Sequence, residues 1–282
     1  MTSRTVRRVS LVLPLALLAG CEPTRPQAAP DATAAPAVEP NTVQGRVTDA
    51  AGNPLPNTTI HIYGTTMAGE NARFEVQPGP DGRYRQRVPE GIYGLRAEFR
   101  HTDAAGRPIL LVLHPADGVT GQRHDSAEGI RKDFEWRISG LKPGQAAGEP
   151  GRHDEWGKYY GGSLQVSIAA ERSDAPAAFP DGSVLTLTLT PRGPLLDGRP
   201  ANPLTYERTF GCGVSAGSYW YPADIPLGTY DLAARLRTPD GADRPLPLRP
   251  GLGSHDFAPS VTLDVLPAAD GSVLPIQITV LP

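Results

Sequence analysis

The residue types able to do covalent or metal chemistry in this chain are few and widely spaced. Gly213-Val-Ser215-Ala-Gly217 has the Gly-x-Ser-x-Gly spelling of a nucleophile elbow. Such an elbow works where a strand turns sharply into a helix and lifts the hydroxyl above a parallel sheet. The next residues, Ser218-Tyr-Trp-Tyr-Pro222, cannot begin a helix of useful length. A glycine-rich turn is therefore expected, with a serine hydrolase at Ser215 as the alternative. Six histidines are present: His61, His101, His114, His124, His153 and His255. None has His-Glu-x-x-His or His-x-x-Glu spacing, so no hydrolytic zinc site of those kinds is encoded locally. His124 with Asp125 and Glu128, and His153 with Asp154 and Glu155, read as solvated polar loops rather than ligand sets. No catalytic residue, metal or cofactor is expected.

Aromatic residues are the better candidates for ligand contact. Trp156, Tyr159 and Tyr160 cluster in one segment, and Tyr219, Trp220 and Tyr221 are consecutive in another. Exposed rings of this kind stack on sugar faces, with acids and amides nearby to hold hydroxyls. On a strand, Tyr219 and Tyr221 share one face and Trp220 takes the other. One reading makes these six residues a carbohydrate platform. The other, which is the expectation, places one face in a core and uses the remaining rings to join domains.

The elements that must position these residues begin after a leader. Arg4, Arg7 and Arg8 precede an apolar run from Val9 to Ala19 broken only by Ser10 and Pro14. A charged start, a short apolar stretch and small residues describe a secretory signal peptide over 1–20. The run is shorter than the ~20 residues that span a bilayer. Leu18-Ala19-Gly20-Cys21 resembles the lipobox of bacterial lipoproteins. That resemblance implies diacylation of the Cys21 thiol, cleavage before it, and acylation of the new amino terminus. Several acyl chains hold where one binds only reversibly. Glu22, in place of the Asp that favours inner-membrane retention, implies the outer membrane. With Cys21 acylated, Cys212 has no disulfide partner and is expected as a buried thiol.

Gly and Pro number 31 each in 282 residues, or 22% together, which leaves few uninterrupted windows for helices. Hydrophobic residues at 39% still allow a core. The formal charge is −3, and the basic residues are scattered, so no nucleic-acid partner is expected. Residues 21–41 are rich in Ala and Pro and read as an extended tether. From Thr42 the hydrophobic period becomes two. Tyr93, Leu95, Ala97 and Phe99 alternate with more polar neighbours, as do Phe134, Trp136 and Ile138, Leu185, Leu187 and Leu189, and Ile276, Ile278 and Val280. Such alternation buries one face of a sheet. Turn signals separate the runs, among them Asp49-Ala-Ala-Gly-Asn-Pro and Asp103-Ala-Ala-Gly-Arg-Pro.

The chain also matches itself. VPEGIYGLRAEFR (88–100) aligns with IPLGTYDLAARLR (225–237), and HTDAAGRPILLVLHP (101–115) with TPDGADRPLPLRP (238–250). TVQGRV (42–47) aligns with SLQVSI (163–168), and TTIHIY (58–63) with SVLTLTL (183–189). Collinear matches predict two copies of one sandwich, over 42–140 and 162–282, with a linker at 141–161. Tyr93 and Tyr230 are expected as buried corner tyrosines. Residues 43–57, 80–84 and 89–93 resemble the carboxypeptidase regulatory-like domain. The resemblance covers the first copy well and the second weakly, and implies a transthyretin-like, seven-stranded sandwich close to starch-binding folds. The expectation is therefore an all-β chain of two tandem seven-stranded antiparallel sandwiches, Ig-like or transthyretin-like. Its expected role is a non-catalytic envelope lipoprotein facing the periplasm or cell surface. It would bind or scaffold another envelope protein, or, in the alternative, a glycan.

Overall fold

The computed structural model describes residues 38–103, 105–146, 156–169, 179–211, 219–251 and 256–282. Cys21, His153, Asp154, Glu155, Cys212, Ser215 and His255, with the leader and the start of the tether, lie outside the described residues. So does the whole Gly213–Gly217 motif.

The described residues are strands, loops and two single 3-10 turns, Ser126–Glu128 and Trp156–Lys158, with no α-helix. The first half contributes β1 (Thr42–Asp49), β2 (Thr58–Thr66), β3 (Asn71–Val76), β4 (Arg83–Arg87), β5 (Gly91–Thr102), β6 (Pro108–Pro115), β7 (His124–Asp125), β8 (Ile130–Arg131) and β9 (Phe134–Trp136). They run in the order β3-β2-β5-β6-β9-β1-β4, with β7 beside β5 and β8 beside β1. β6 meets β9 over two residues only, His114 opposite Glu135 and Pro115 opposite Phe134.

The second half contributes β10 (Leu164–Ile168), β11 (Val184–Pro191), β12 (Leu204–Thr209), β13 (Gly228–Arg237), β14 (Asp243–Leu246), β15 (Leu248–Pro250), β16 (Ser260–Val265) and β17 (Ile276–Val280). They form one sheet ordered β12-β11-β13-β14, with β16 beside β13, and another ordered β10-β17-β15. This repeats most of the first half's strand order, although the described residues of the second half hold eight strands against nine. β12-β11-β13-β14 copies β3-β2-β5-β6, and β16 meets Tyr230 through Leu263 as β7 meets Tyr93 through His124. The chain is an all-β, sandwich-like protein, as the alternation predicts. The pairing is not purely antiparallel, however: β1 runs parallel to β8 and β9, and β10 parallel to β17. Period two reports which face is buried and is blind to the direction of the neighbouring strand.

Equivalent residues do equivalent work in the two copies. Tyr93 is fully buried and its hydroxyl donates to the Pro89 carbonyl at 3.0 Å; Tyr230 donates to the Pro226 carbonyl at 2.7 Å. Within the first copy, the two Asp-Ala-Ala-Gly turns share their chemistry. Asp49 Oδ1 accepts from the Ala51 and Asn53 amides, and Asp103 Oδ1 from those of Ala105 and Arg107. Gly52 and Gly106 take φ of 85° and 80°, where any side chain would be strained.

The two copies are joined by specific contacts. The Leu227 amide donates to the Ile138 carbonyl at 3.1 Å, and Arg107 pairs with Asp264 at 2.8 Å. Asp224 Oδ1 accepts from the Gly140 amide at 2.7 Å. Burial pushes the Asp224 carboxyl above its usual range, against the pull of the Gly140 and Gly161 amides. One hydrophobic cluster runs from Val43 to Val280 through both sandwiches.

Candidate functional site

The two described ends of the segment between the sandwiches pair with each other. Leu141 bridges Tyr159, the Lys142 amide donates to the Lys158 carbonyl at 2.8 Å, and the Tyr160 amide donates to the Gly140 carbonyl at 2.9 Å. The paired ends lie against β6 and β9 and border an open cavity of about 420 Å³. The wall comes from His114 on β6, Glu135 and Trp136 on β9, Arg137, Lys142, Tyr159 and Tyr160, with residues 270–273 closing one side. Its size falls in the range of small-molecule sites, ~300–1,000 Å³.

The rings and charges are interlocked. The His114 ring meets Tyr160 edge-on, with centroids 5.2 Å apart, and the Arg137 guanidinium lies 5.9 Å from the Tyr160 centroid. Arg137 pairs with Glu135 at 2.9 Å, and this bond holds the guanidinium pKa up. Lys142 Nζ donates to the Gly157 carbonyl at 2.9 Å. Burial lowers the Lys142 pKa, because a cation loses hydration there. Burial, with the Lys142 charge adding to it, pushes His114 down to about 4, so its imidazole is neutral near pH 7. Tyr160 is 5% exposed and its hydroxyl has no hydrogen-bond partner among the described residues. The Trp136 indole N–H is likewise unpartnered. Both atoms are closed to solvent, so they lie behind the cavity surface rather than on it.

Tyr159 and Tyr160 thus line the cavity, whereas none of Tyr219, Trp220 and Tyr221 does. Trp220 is buried in the core, exchanging backbone hydrogen bonds with Val166 at 2.8 and 3.0 Å. Tyr221 is buried too, with its ring 6.3 Å from that of Tyr219, and only Tyr219 is exposed, at 51%. A sugar platform over 219–221 is therefore reduced to Tyr219: Trp220 and Tyr221 are buried although they are neighbours, so strand alternation does not hold across this segment. Trp156 contributes its backbone to the 3-10 turn at 156–158. The His124 group is occupied with structure: His124 and Asp125 form β7, and Asp125 caps the 126–128 turn by accepting from the Ala127 amide at 2.9 Å. Among the described residues, no group of three or more His, Cys, Asp and Glu side chains is placed to hold a metal ion. His114, Lys142, Trp136 and Arg137 carry no local motif. Folding alone brings them together.

No known protein family matches the chain, and no characterised protein matches it in sequence. Among solved structures, a leucine-rich repeat protein from Bacteroides thetaiotaomicron VPI-5482 aligns at 12% identity and a TM-score of 0.24, covering 86% of this chain and 26% of that one. This chain thus spans about a quarter of that protein. A DUF3823 family protein from Bacteroides ovatus ATCC 8483 aligns at 10% identity and a TM-score of 0.21, covering 80% of this chain and 99% of that one. The major pilin from Streptococcus pyogenes aligns at 8% identity and a TM-score of 0.21, covering 85% and 95%. Likeness at that level transfers no function. The all-β architecture stands on this chain's own strands.

Proposed function

We propose that this protein is a lipid-anchored, non-catalytic binding module of the bacterial envelope, fastened through Cys21 at the outer membrane, with the cavity between its two sandwiches as the ligand site. The observation that carries the reading is that cavity: the aromatic residues Trp136, Tyr159 and Tyr160 with His114, Arg137 and Lys142, gathered at the junction of a duplicated fold. The apolar leader and Leu18-Ala19-Gly20-Cys21 support the anchor, and the Ala/Pro-rich 21–41 segment supports a spacer between membrane and fold. Rings beside hydrogen-bonding groups suit a polar cyclic ligand, so a carbohydrate is favoured over an apolar one.

The test separates the two halves of the reading. Cys21→Ala should move the protein out of the membrane fraction, and unchanged fractionation would remove the anchor. For the site, Gly157→Phe is the informative change. A Cβ at Gly157 meets nothing within 4 Å, so a side chain can be added there, at the rim of the cavity beside Lys142. On a glycan array the full chain should bind and Gly157→Phe should not. Equal binding by both, or a blank array for the unaltered chain, would remove the cavity as a glycan site.

A further inference from the structure

Arginines that are scattered along the sequence come together on one sheet face. On β4, Tyr84 points into the core, and Arg83, Arg85 and Arg87 are exposed on the opposite side. β1 lies beside it with Val43 and Val47 inward, which turns Gln44 and Arg46 outward. β8 pairs with β1, its Ile130 buried and its Arg131 exposed opposite Gln44. Five guanidinium groups, those of Arg46, Arg83, Arg85, Arg87 and Arg131, thus share one face of a chain whose formal charge is −3. Among the described residues, three carboxylates meet this set. Glu39 pairs with Arg85, Asp81 lies 3.5 Å from Arg83, and Asp133 accepts from the Arg46 amide at 2.7 Å. Arg46 stands directly opposite Arg83. Like charges so placed weaken a sheet, and an anion laid over the face would relieve the cost.

The chain enters the fold beside this face. The described residues begin at Val38, and Glu39, next to it, pairs with Arg85. Residues 21–37, at no more than ~3.6 Å each, hold Val38 within about 60 Å of Cys21. That segment carries Glu22, Arg25 and Asp31, one net negative charge, which leaves the face positive. Resting on the reading of Cys21 as a lipid anchor, we infer that the outer face of β4, β1 and β8 lies against the membrane that holds the anchor. Its partner is the anionic phosphate headgroup of a phospholipid such as phosphatidylglycerol. Alternate residues of a strand stand about 6.8 Å apart and adjacent strands about 4.8 Å, so the guanidinium groups form a flat array and not a pocket. A flat array suits a surface of many single charges better than one compact ligand. A guanidinium donates two parallel N–H bonds to a phosphate, and the anchor keeps such headgroups at high effective concentration.

The experiment is co-sedimentation with vesicles of phosphatidylcholine alone and of phosphatidylcholine mixed with phosphatidylglycerol. The chain from residue 21, which keeps every described residue, is used with Cys21→Ala so that no acyl chain is added. It should bind the mixed vesicles and not the neutral ones, and should loosen as salt rises. Each arginine near an anionic surface strengthens binding roughly fivefold, so Arg87→Gln with Arg131→Gln should weaken it roughly 25-fold and leave the thermal midpoint unchanged. Arg237→Gln with Arg244→Gln, exposed on β13 and β14, removes the same charge elsewhere and should change binding less than twofold. Equal losses in the two pairs would overturn the face, because net charge alone would then account for binding. No preference for the mixed vesicles would overturn it as well. Binding to soluble polygalacturonate as tight as to mixed vesicles of equal charge would overturn the lipid and make the partner an acidic polysaccharide. The acylated protein on neutral vesicles tests the anchor separately: it should stay bound there, and its release would overturn the anchor and the inference built on it, whatever headgroup the unacylated chain prefers.

Discussion

Trp220 stands in the second sandwich where Tyr84 stands in the first: Tyr84 lies opposite Gly45 between β4 and β1, and Trp220 lies opposite Val166 on β10. The paired residues on β1 and β10 differ in size because the cross-strand partners use the space differently. A Cβ at Gly45 would fall 1.8 Å from the Lys132 carbonyl oxygen, the same oxygen that accepts from the Tyr84 hydroxyl. In the second copy Val166 takes that place, 2% exposed, and the ring opposite is an indole 6% exposed. The equivalence makes Trp220 a core residue. Trp220→Ala should therefore destabilise the protein by about 3–5 kcal/mol, the usual cost of truncating a buried large aromatic. Urea denaturation is the check. A midpoint equal to that of the unaltered protein would show that the indole does not hold the core.

The corner tyrosines make a matched pair of predictions. Tyr93→Phe and Tyr230→Phe each remove one hydroxyl-to-carbonyl hydrogen bond, to Pro89 and Pro226, and leave the packed ring in place. Each should cost about 1 kcal/mol. The double variant should cost their sum, because the two sites lie in different sandwiches and share no partner. A strongly unequal pair of values in chemical denaturation would contradict the structural equivalence.

Acid should weaken the fold through His114. Its pKa falls from 6.5 to about 4 in the folded protein, with burial the main cause and the Lys142 charge the lesser one. The unfolded chain therefore takes up a proton that the folded protein refuses as pH falls from about 7 toward 4. Stability is full above pH 6.5 and declines through that window by at most on the order of 3 kcal/mol. His114→Phe should flatten this part of the stability-against-pH curve while keeping the ring contact with Tyr160. An unchanged slope would mean that other groups carry the acid sensitivity.

Much of the architecture was legible in the residue pattern. Alternation marked β5, β9, β11 and β17, and the shared Pro-x-Gly-x-Tyr spacing placed Tyr93 and Tyr230 at equivalent corners. The Asp-Ala-Ala-Gly turns were legible because a side-chain oxygen and a positive-φ glycine solve them within five residues. The candidate site was legible only in part. Tyr159 and Tyr160 stood out as an aromatic pair, but Tyr219 to Tyr221 stood out equally and proved to be mostly core. An exposed ring and a buried one have the same spelling when both belong to strands.

Short-range periodicity, turn chemistry and internal likeness were thus enough, without coordinates, to determine an all-β chain with a doubled fold, since each acts over a few residues or between copies of one segment. Tertiary structure alone decided that β1 and β10 take parallel neighbours. It also decided that Trp220 turns inward, and that Lys142 comes to the same cavity as His114 and Arg137. The reason is physical: these outcomes depend on which strand lies beside which. That is settled by packing between residues far apart in the chain, where local pattern carries no information.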